Sequence, residues 1–241
     1  KVHRPMDPTD PNAAGLSRRH IIAECEASLR RLQTDHIDLY QLHRQQTDTA
    51  IDETLRALDD LVRQGKVRYI GISNHPAWRV VDSLWISKHN GLNTFVTCQD
   101  EYSLLARHIE AELLPAMQAN GLGLLPYFPL ASGLLTGKYR SGIPEGSRAS
   151  LENMSWMREQ LQDKAKNEAV VKLEVIAKEM GCSLAQLAIA WINRNPRVST
   201  VILGASRLSQ LQDNLGALAV TPKLTPEVLQ RIDDITKPLA N

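Results

Sequence analysis

The sequence predicts an α/β fold in which parallel strands, linked by helical crossovers, close into a barrel. Three observations predict it. Short β-rich runs alternate with helical patterns along 241 residues, as strand–helix–strand units require. A doubly wound sheet also fits that alternation, but no Gly-x-Gly-x-x-Gly phosphate turn follows any run. Polar residues collect at the C-terminal ends of several runs, at His43, Ser73-Asn74, Gln99, Tyr127 and Gly204-Ala205-Ser206-Arg207. In a barrel those ends converge on one mouth, where the active site sits.

The elements follow in order. Strands are expected at 36–43, 67–74, 94–99, 122–128 and 198–203, and Lys1-Val2-His3 reads as the tail of a further strand. In the helical pattern over 17–33, Ile21, Ile22, Cys25, Leu29 and Leu32 share a face, and Ser17 supplies an N-cap. Over 51–64 the face is Leu55, Leu58, Leu61 and Val62, and Gly65 suits the C-terminus that follows. Further helices are expected at 77–89, 108–119, 165–180, 183–194, 207–218 and near 225–236. Residues 129–164, with Gly133, Gly137, Gly142, Pro144 and Gly146, break the rhythm and read as a long functional loop at the barrel mouth.

Composition excludes several classes. The net charge is +1, with 43% hydrophobic and 23% charged residues and no charge block pointing to nucleic acid or an anionic membrane. No apolar run approaches transmembrane length, and no signal-peptide pattern opens the chain. Cys25, Cys98 and Cys182 are scattered, which fits a reducing cytoplasm, and no Cys/His cluster has metal-ligand spacing.

The most specific stretches are Ile37-Asp-Leu-Tyr-Gln-Leu-His43, Glu53-Thr-Leu55 with Ala57-Leu58, and Gly65-Lys-Val-Arg-Tyr-Ile-Gly-Ile-Ser-Asn74. Gln99-Asp-Glu-Tyr-Ser-Leu-Leu105, Pro126-Tyr-Phe-Pro-Leu130, Gly133-Leu-Leu-Thr-Gly-Lys-Tyr139 and Val201-Ile-Leu-Gly204 leading to Asn214 continue the series. Together they resemble the aldo-keto reductase family over nearly the whole chain, and most of all its bacterial members related to potassium-channel β subunits and glyceraldehyde phosphate reductases.

The resemblance implies a (β/α)8 TIM barrel that uses NADP, as NADPH, to reduce the carbonyl of an aldehyde or ketone by direct hydride transfer. The small-molecule carbonyl compound would be its partner. His43 would donate a hydrogen bond to the carbonyl oxygen as it gains charge; the bland alternative is a hydrogen-bonded rim histidine. Lys1 would be the lysine that lowers a neighbouring tyrosine's pKa, against the reading of a solvated charge. Ser73, Asn74 and Gln99 match positions that hydrogen-bond the nicotinamide carboxamide, and Tyr127 matches the ring that stacks on it. Strand-end capping and rim packing are the plain alternatives.

Leu130, Ser132 and Gly133 match the loop over the pyrophosphate, with Lys138 as a further cation. Gly204, Ser206 and Arg207 open a helix whose N-terminus would favour the 2′-phosphate. Gln210 and Asn214, one and two turns on, match adenosine contacts.

The family's catalytic aspartate and tyrosine lie upstream of its lysine, and none of Tyr40, Tyr69, Tyr102, Tyr127 or Tyr139 sits in the matching motif. The expectation is therefore one barrel domain over 1–241, N-terminally incomplete, with the first two βα units missing. Two alternatives accompany it: a cofactor-binding regulatory subunit, and an inactive barrel fragment. Trp78, Trp85 and Trp156 are candidates to line a substrate pocket.

Overall fold

The computed structural model describes residues 1–7, 9–140 and 142–239, and the side chains of Arg148, Trp156 and Gln160 lie outside the description. The chain divides into two compact units. Unit 1 is Lys1–Asp100 with Ala111–Leu124, and unit 2 is Glu101–Glu110 with Leu125–Asn241.

Unit 1 is a parallel sheet covered by helices. Strands β1 (Ile37–Leu42), β2 (Val67–Ser73), β3 (Phe95–Gln99) and β4 (Gly123–Leu124) lie in the order β1-β2-β3-β4. All three pairings are parallel, with Tyr40 opposite Ile70, Ile72 opposite Cys98, and Thr97 opposite Gly123. The expected strand tail at residues 1–3 is present as a parallel bridge between Val2 and Leu42.

Helix α1 (Arg18–Leu32) starts where Ser17 Oγ accepts from the His20 N–H at 3.3 Å, as its residue type predicts. Helix α2 (Ile51–Arg63) buries Leu55, Leu58 and Leu61 and ends before Gly65, whose φ of +73° a residue with a Cβ adopts at a cost. Helix α3 (Ala77–His89) and helix α4 (Leu113–Asn120) follow. The expected helix at 108–119 is broken: a 3-10 turn at His108–Glu110 precedes α4. The buried core of this unit includes Leu42, Ile70, Ile72, Cys98, Met117 and Leu124.

Unit 2 is helical. Short helices occupy much of the segment expected as loop: 3-10 turns at Ala131–Thr136, Arg148–Ser150 and Glu152–Met154, then α5 (Ser155–Leu161). Helices α6 (Lys164–Glu179), α7 (Leu184–Asn193), α8 (Leu208–Leu215), α9 (Ala217–Val220) and α10 (Pro226–Thr236) complete it. Helix α7 is apolar on nearly every side and forms the core of the unit, opened by a capping box between Ser183 and Gln186.

Two expected strands are corrected. Of 122–128 only Gly123–Leu124 is strand, while Tyr127 forms an isolated bridge with Glu101. Residues 198–203 form no strand: Val198 sits in an isolated bridge, and the Ile202 N–H donates to the Pro126 carbonyl at 3.0 Å. Val198, Thr200, Val201 and Ile202 have strand propensity, but a strand needs a partner along its length to satisfy its backbone groups.

Cys25, Cys98 and Cys182 are free thiols. Among the described residues no single helix is long and apolar enough to cross a membrane.

Candidate functional site

The ends of parallel strands in unit 1 bring the first group of sequence-predicted residues together. Ser73 closes β2, and its buried hydroxyl accepts from Lys1 Nζ at 3.1 Å and from Asn74 Nδ2 at 3.0 Å. Asn74 Nδ2 also donates to the His43 carbonyl at 2.9 Å, and the Asn74 backbone N–H donates to the Gln99 carbonyl at 3.3 Å. The His43 N–H in turn donates to the Val2 carbonyl at 3.0 Å. Lys1, His43, Ser73, Asn74 and Gln99 thus form one cluster, fixed by backbone bonds between neighbouring strand ends. Asn74 holds a φ of +58°, a left-handed conformation that asparagine tolerates better than most residues.

The electrostatics of the cluster are those of a desolvated cationic site. Desolvation holds the Lys1 ammonium below its ordinary range, while the Asp100 carboxylate pulls it upward. His43 is held low first by desolvation and then by neighbouring cations, Lys1, Arg4 and Arg44 among them. Its imidazole is therefore mainly neutral near pH 7 and retains one N–H to donate.

Two residues that the sequence did not single out belong here. Asp100, 6% exposed just beyond β3, is pushed up to about 7 by burial, against the Asn74 N–H and the Lys1 charge. His75, 5% exposed, bonds the Ser73 carbonyl through Nδ1 at 2.8 Å, and burial lowers it to about 4. The signal available for Asp100 was its place in the Gln99-Asp-Glu-Tyr stretch. Its burial is a tertiary property that the stretch does not encode.

Gln99 is 8% exposed, and among the described residues its side-chain amide has no hydrogen-bond partner. An amide group placed so can donate and accept at once, which suits the carboxamide of a nicotinamide.

The second group lies in unit 2. Tyr127 meets Phe128 edge-on at 5.2 Å. The Leu130 carbonyl accepts the Gly133 N–H at 2.8 Å and the Leu135 N–H at 3.2 Å. Between them the backbone turns left-handed at three successive residues, Ala131 (φ 45°), Ser132 (φ 56°) and Gly133 (φ 100°). For the two non-glycines this costs on the order of 1 kcal/mol or more each, and such strain gathers at ligand sites. A Cβ on Gly133 would stand 3.1 Å from the Tyr139 ring and 3.4 Å from Lys138 Cε. The Lys138 ammonium lies 4.9 Å from the centre of that same ring. The residues expected over a pyrophosphate, Leu130, Ser132, Gly133 and Lys138, are thus neighbours.

Gly204, Ser206 and Arg207 form an exposed lead into α8, whose first turn has no side-chain cap. Gln210 is committed locally: its Oε1 accepts the Ser206 N–H at 2.8 Å and the Ser206 hydroxyl at 3.2 Å. Among the described residues Arg207 has no ion-pair partner. Asn214 is buried at the far end of α8.

Trp78 and Trp85 are exposed on α3, with Arg79 over the first ring and His89 stacked on the second. Trp156 lies outside the described side chains.

Comparison with known proteins gives a consistent result. The model of the Aldo/keto reductase family matches residues 1–237. A protein of Arabidopsis thaliana named "Probable voltage-gated potassium channel subunit beta" is 43% identical over 229 residues, covering 93% of this chain and 69% of that protein. A protein of the same name from Oryza sativa subsp. japonica is 42% identical over 231 residues, covering 94% of this chain and 70% of that protein.

Proposed function

This chain belongs to the aldo/keto reductase family, an oxidoreductase family whose fold is the (β/α)8 barrel, and from that membership we propose that it reduces an aldehyde or ketone with NADPH. The observation that carries the reading is the cluster of Lys1, His43, Ser73, Asn74 and Gln99 at the ends of adjacent parallel strands. Polar groups at that end of a barrel serve chemistry more often than stability.

The nicotinamide, when bound, supplies the hydride. In this reading Ser73, Asn74 and Gln99 orient its carboxamide, and the Tyr127 ring covers its face. Ser132, Gly133 and Lys138, with the Leu130 turn, take the pyrophosphate. Gly204, Ser206, Arg207, Gln210 and Asn214 take the adenosine end, where Arg207 supplies a charge-assisted contact to the 2′-phosphate. His43 donates to the carbonyl oxygen, and Lys1 places positive charge beside the proton donor. Preorganised donors of this kind stabilise developing negative charge by a few kcal/mol.

The experiment is a panel of aldehydes and ketones followed at the reduced-nicotinamide absorbance band, in the wild type and in His43→Ala. Carbonyl-dependent NADPH oxidation that falls about 100-fold in the variant, with cofactor affinity retained, supports the reading. Tight NADPH binding without turnover of any carbonyl compound contradicts it.

A second reading rests on the relatives named as channel subunits: a cofactor-binding regulatory subunit of a potassium channel. Binding of this protein to a purified voltage-gated potassium channel, altered by NADPH, distinguishes it.

A further inference from the structure

The turn that leaves β2 is bent at Asn74, whose backbone sits in the left-handed region with φ at +58°. Its side chain bonds both the Ser73 hydroxyl and the His43 carbonyl. A residue in that conformation stays there because its surroundings hold it. On one side the sheet does so: the Asn74 N–H donates to the Gln99 carbonyl at 3.3 Å, from the end of β2 to the end of β3.

On the other side the ordinary closure is blocked. A four-residue turn over Ser73-Asn74-His75-Pro76 would be closed by an N–H of its fourth residue donating to the Ser73 carbonyl. Pro76 stands at that place and has no N–H.

The His75 ring supplies the donor instead. Its Nδ1 lies 2.8 Å from the Ser73 carbonyl oxygen. A carbonyl only accepts, so the ring proton is on Nδ1 and the neutral ring leaves Nε2 bare. Burial lowers the His75 pKa to about 4, so the neutral ring is the form present near pH 7. At 5% exposed, the bond is shielded from competing water. Pro76 also keeps the backbone of His75 extended, and it caps α3, whose first residue Ala77 is buried. The ring is therefore carried on a backbone with little freedom. A buried histidine bonded to a carbonyl is usually a satisfied core residue. Here the bond closes over Asn74 itself and replaces the one backbone donor that the sequence removes.

We propose that His75 is a positioning residue for the nicotinamide. Its Nδ1–H bond to the Ser73 carbonyl locks the left-handed turn at Asn74, and so holds the Ser73 and Asn74 side chains in the arrangement that meets the carboxamide. The inference rests on the reading of Ser73 and Asn74 as carboxamide contacts, and His75 acts through them.

Two measurements test it. The first needs no variant: long-range proton–nitrogen correlation of the histidine rings near pH 7 is expected to show His75 as the Nδ1–H tautomer. An Nε2–H tautomer overturns the inference. The second uses a matched pair of substitutions. Leucine and asparagine fill nearly the same volume, and the asparagine Nδ2 falls where the imidazole Nδ1 lies. His75→Leu thus removes the donor, and His75→Asn restores it in an equal space.

Dissociation constants are measured by calorimetry on the whole chain for NADPH and for 2′-phospho-ADP-ribose, which lacks the nicotinamide. His75→Leu is expected to weaken NADPH binding by about tenfold and to leave 2′-phospho-ADP-ribose within about twofold of the wild type. His75→Asn is expected to recover most of the NADPH loss. Equal losses for both ligands, equal effects of the two substitutions, or no loss in either variant overturn the inference and leave the cofactor reading standing. A wild type that binds NADPH no more tightly than 2′-phospho-ADP-ribose removes that reading, and the positioning role with it.

Discussion

At the residue scale, two buried groups set opposite pH dependences within one site. His75 titrates at about 4 in the folded chain against an ordinary 6.5. The unfolded chain therefore binds the extra proton between those values, and stability is lost as pH falls through that window. Asp100 titrates at about 7 against an ordinary 3.8, so here the folded chain binds the extra proton, and stability is lost as pH rises from about 4 to 7. The displacements correspond to about 3 kcal/mol for His75 and about 4 kcal/mol for Asp100, and across the shared window the two oppose each other. Asp100→Asn removes one side of that balance. In urea unfolding without cofactor, the variant should be more stable than the wild type at pH 7.5 by about 4 kcal/mol, with the difference vanishing near pH 4. A difference that does not change with pH would contradict the assignment.

Arg207 gives a second test at this scale. Among the described residues its guanidinium, just before α8, has no ion-pair partner. Arg207→Ala should weaken NADPH binding by about 1.5–3 kcal/mol and leave NADH binding nearly unchanged, as titration of both cofactors would show. Equal losses would remove the 2′-phosphate role. His43, Ser73, Asn74 and Gln99 were legible in the sequence because polar residues at strand ends stand out against apolar runs, whereas Lys1 was singled out only by the family resemblance. Asp100 and His75 were not, because a carboxylate or imidazole just past a strand is ordinarily solvated. Only the packed structure shows these two buried.

At the element scale, periodicity located α1, α2, α3, α7 and α10 to within a residue or two, and Ser17 was legible as the cap of α1; the structure adds Ser183 and Thr225 as the caps of α7 and α10. The helix expected at 207–218 is divided at Gly216 into α8 and α9. The left-handed run at Ala131–Ser132 was illegible, because neither residue type favours that conformation.

The sequence also gave no sign of what holds α10. Arg107, 4% exposed, donates to Asp233 and to Thr236 Oγ1 at 2.7 Å each and forks onto Glu110. Its guanidinium also lies over the Trp191 ring at 4.9 Å. Removing one partner of a buried charge network leaves the others uncompensated, so Arg107→Ala should cost about 3–5 kcal/mol. Hydrogen exchange should speed up first in α10. Uniform exchange rates with an unchanged Tm would show that α10 is held by apolar contacts alone.

At the scale of the whole molecule, the parallel sheet of unit 1 was legible from the strand–helix alternation, and family membership assigns the barrel. Less legible was the surface that unit 2 leaves uncovered. Leu208, Leu211 and Leu215 are exposed at helical spacing along α8, and Leu218 is exposed on α9. Exposed apolar side chains gathered on one helix favour association in water. Leu211→Glu combined with Leu215→Glu should reduce light scattering of the concentrated chain, and no change would show that the row is inert.

The central claim is hydride delivery to a carbonyl carbon, and isotope transfer measures it most directly. The protein is supplied with NADPH deuterated at C4 and an aldehyde, and the alcohol is weighed by mass spectrometry. The account predicts an alcohol one mass unit heavier, labelled from one face of the nicotinamide only, with the yield falling about 100-fold in His43→Ala. An unlabelled alcohol, or bound NADPH that never transfers its deuterium to any carbonyl compound, would contradict it.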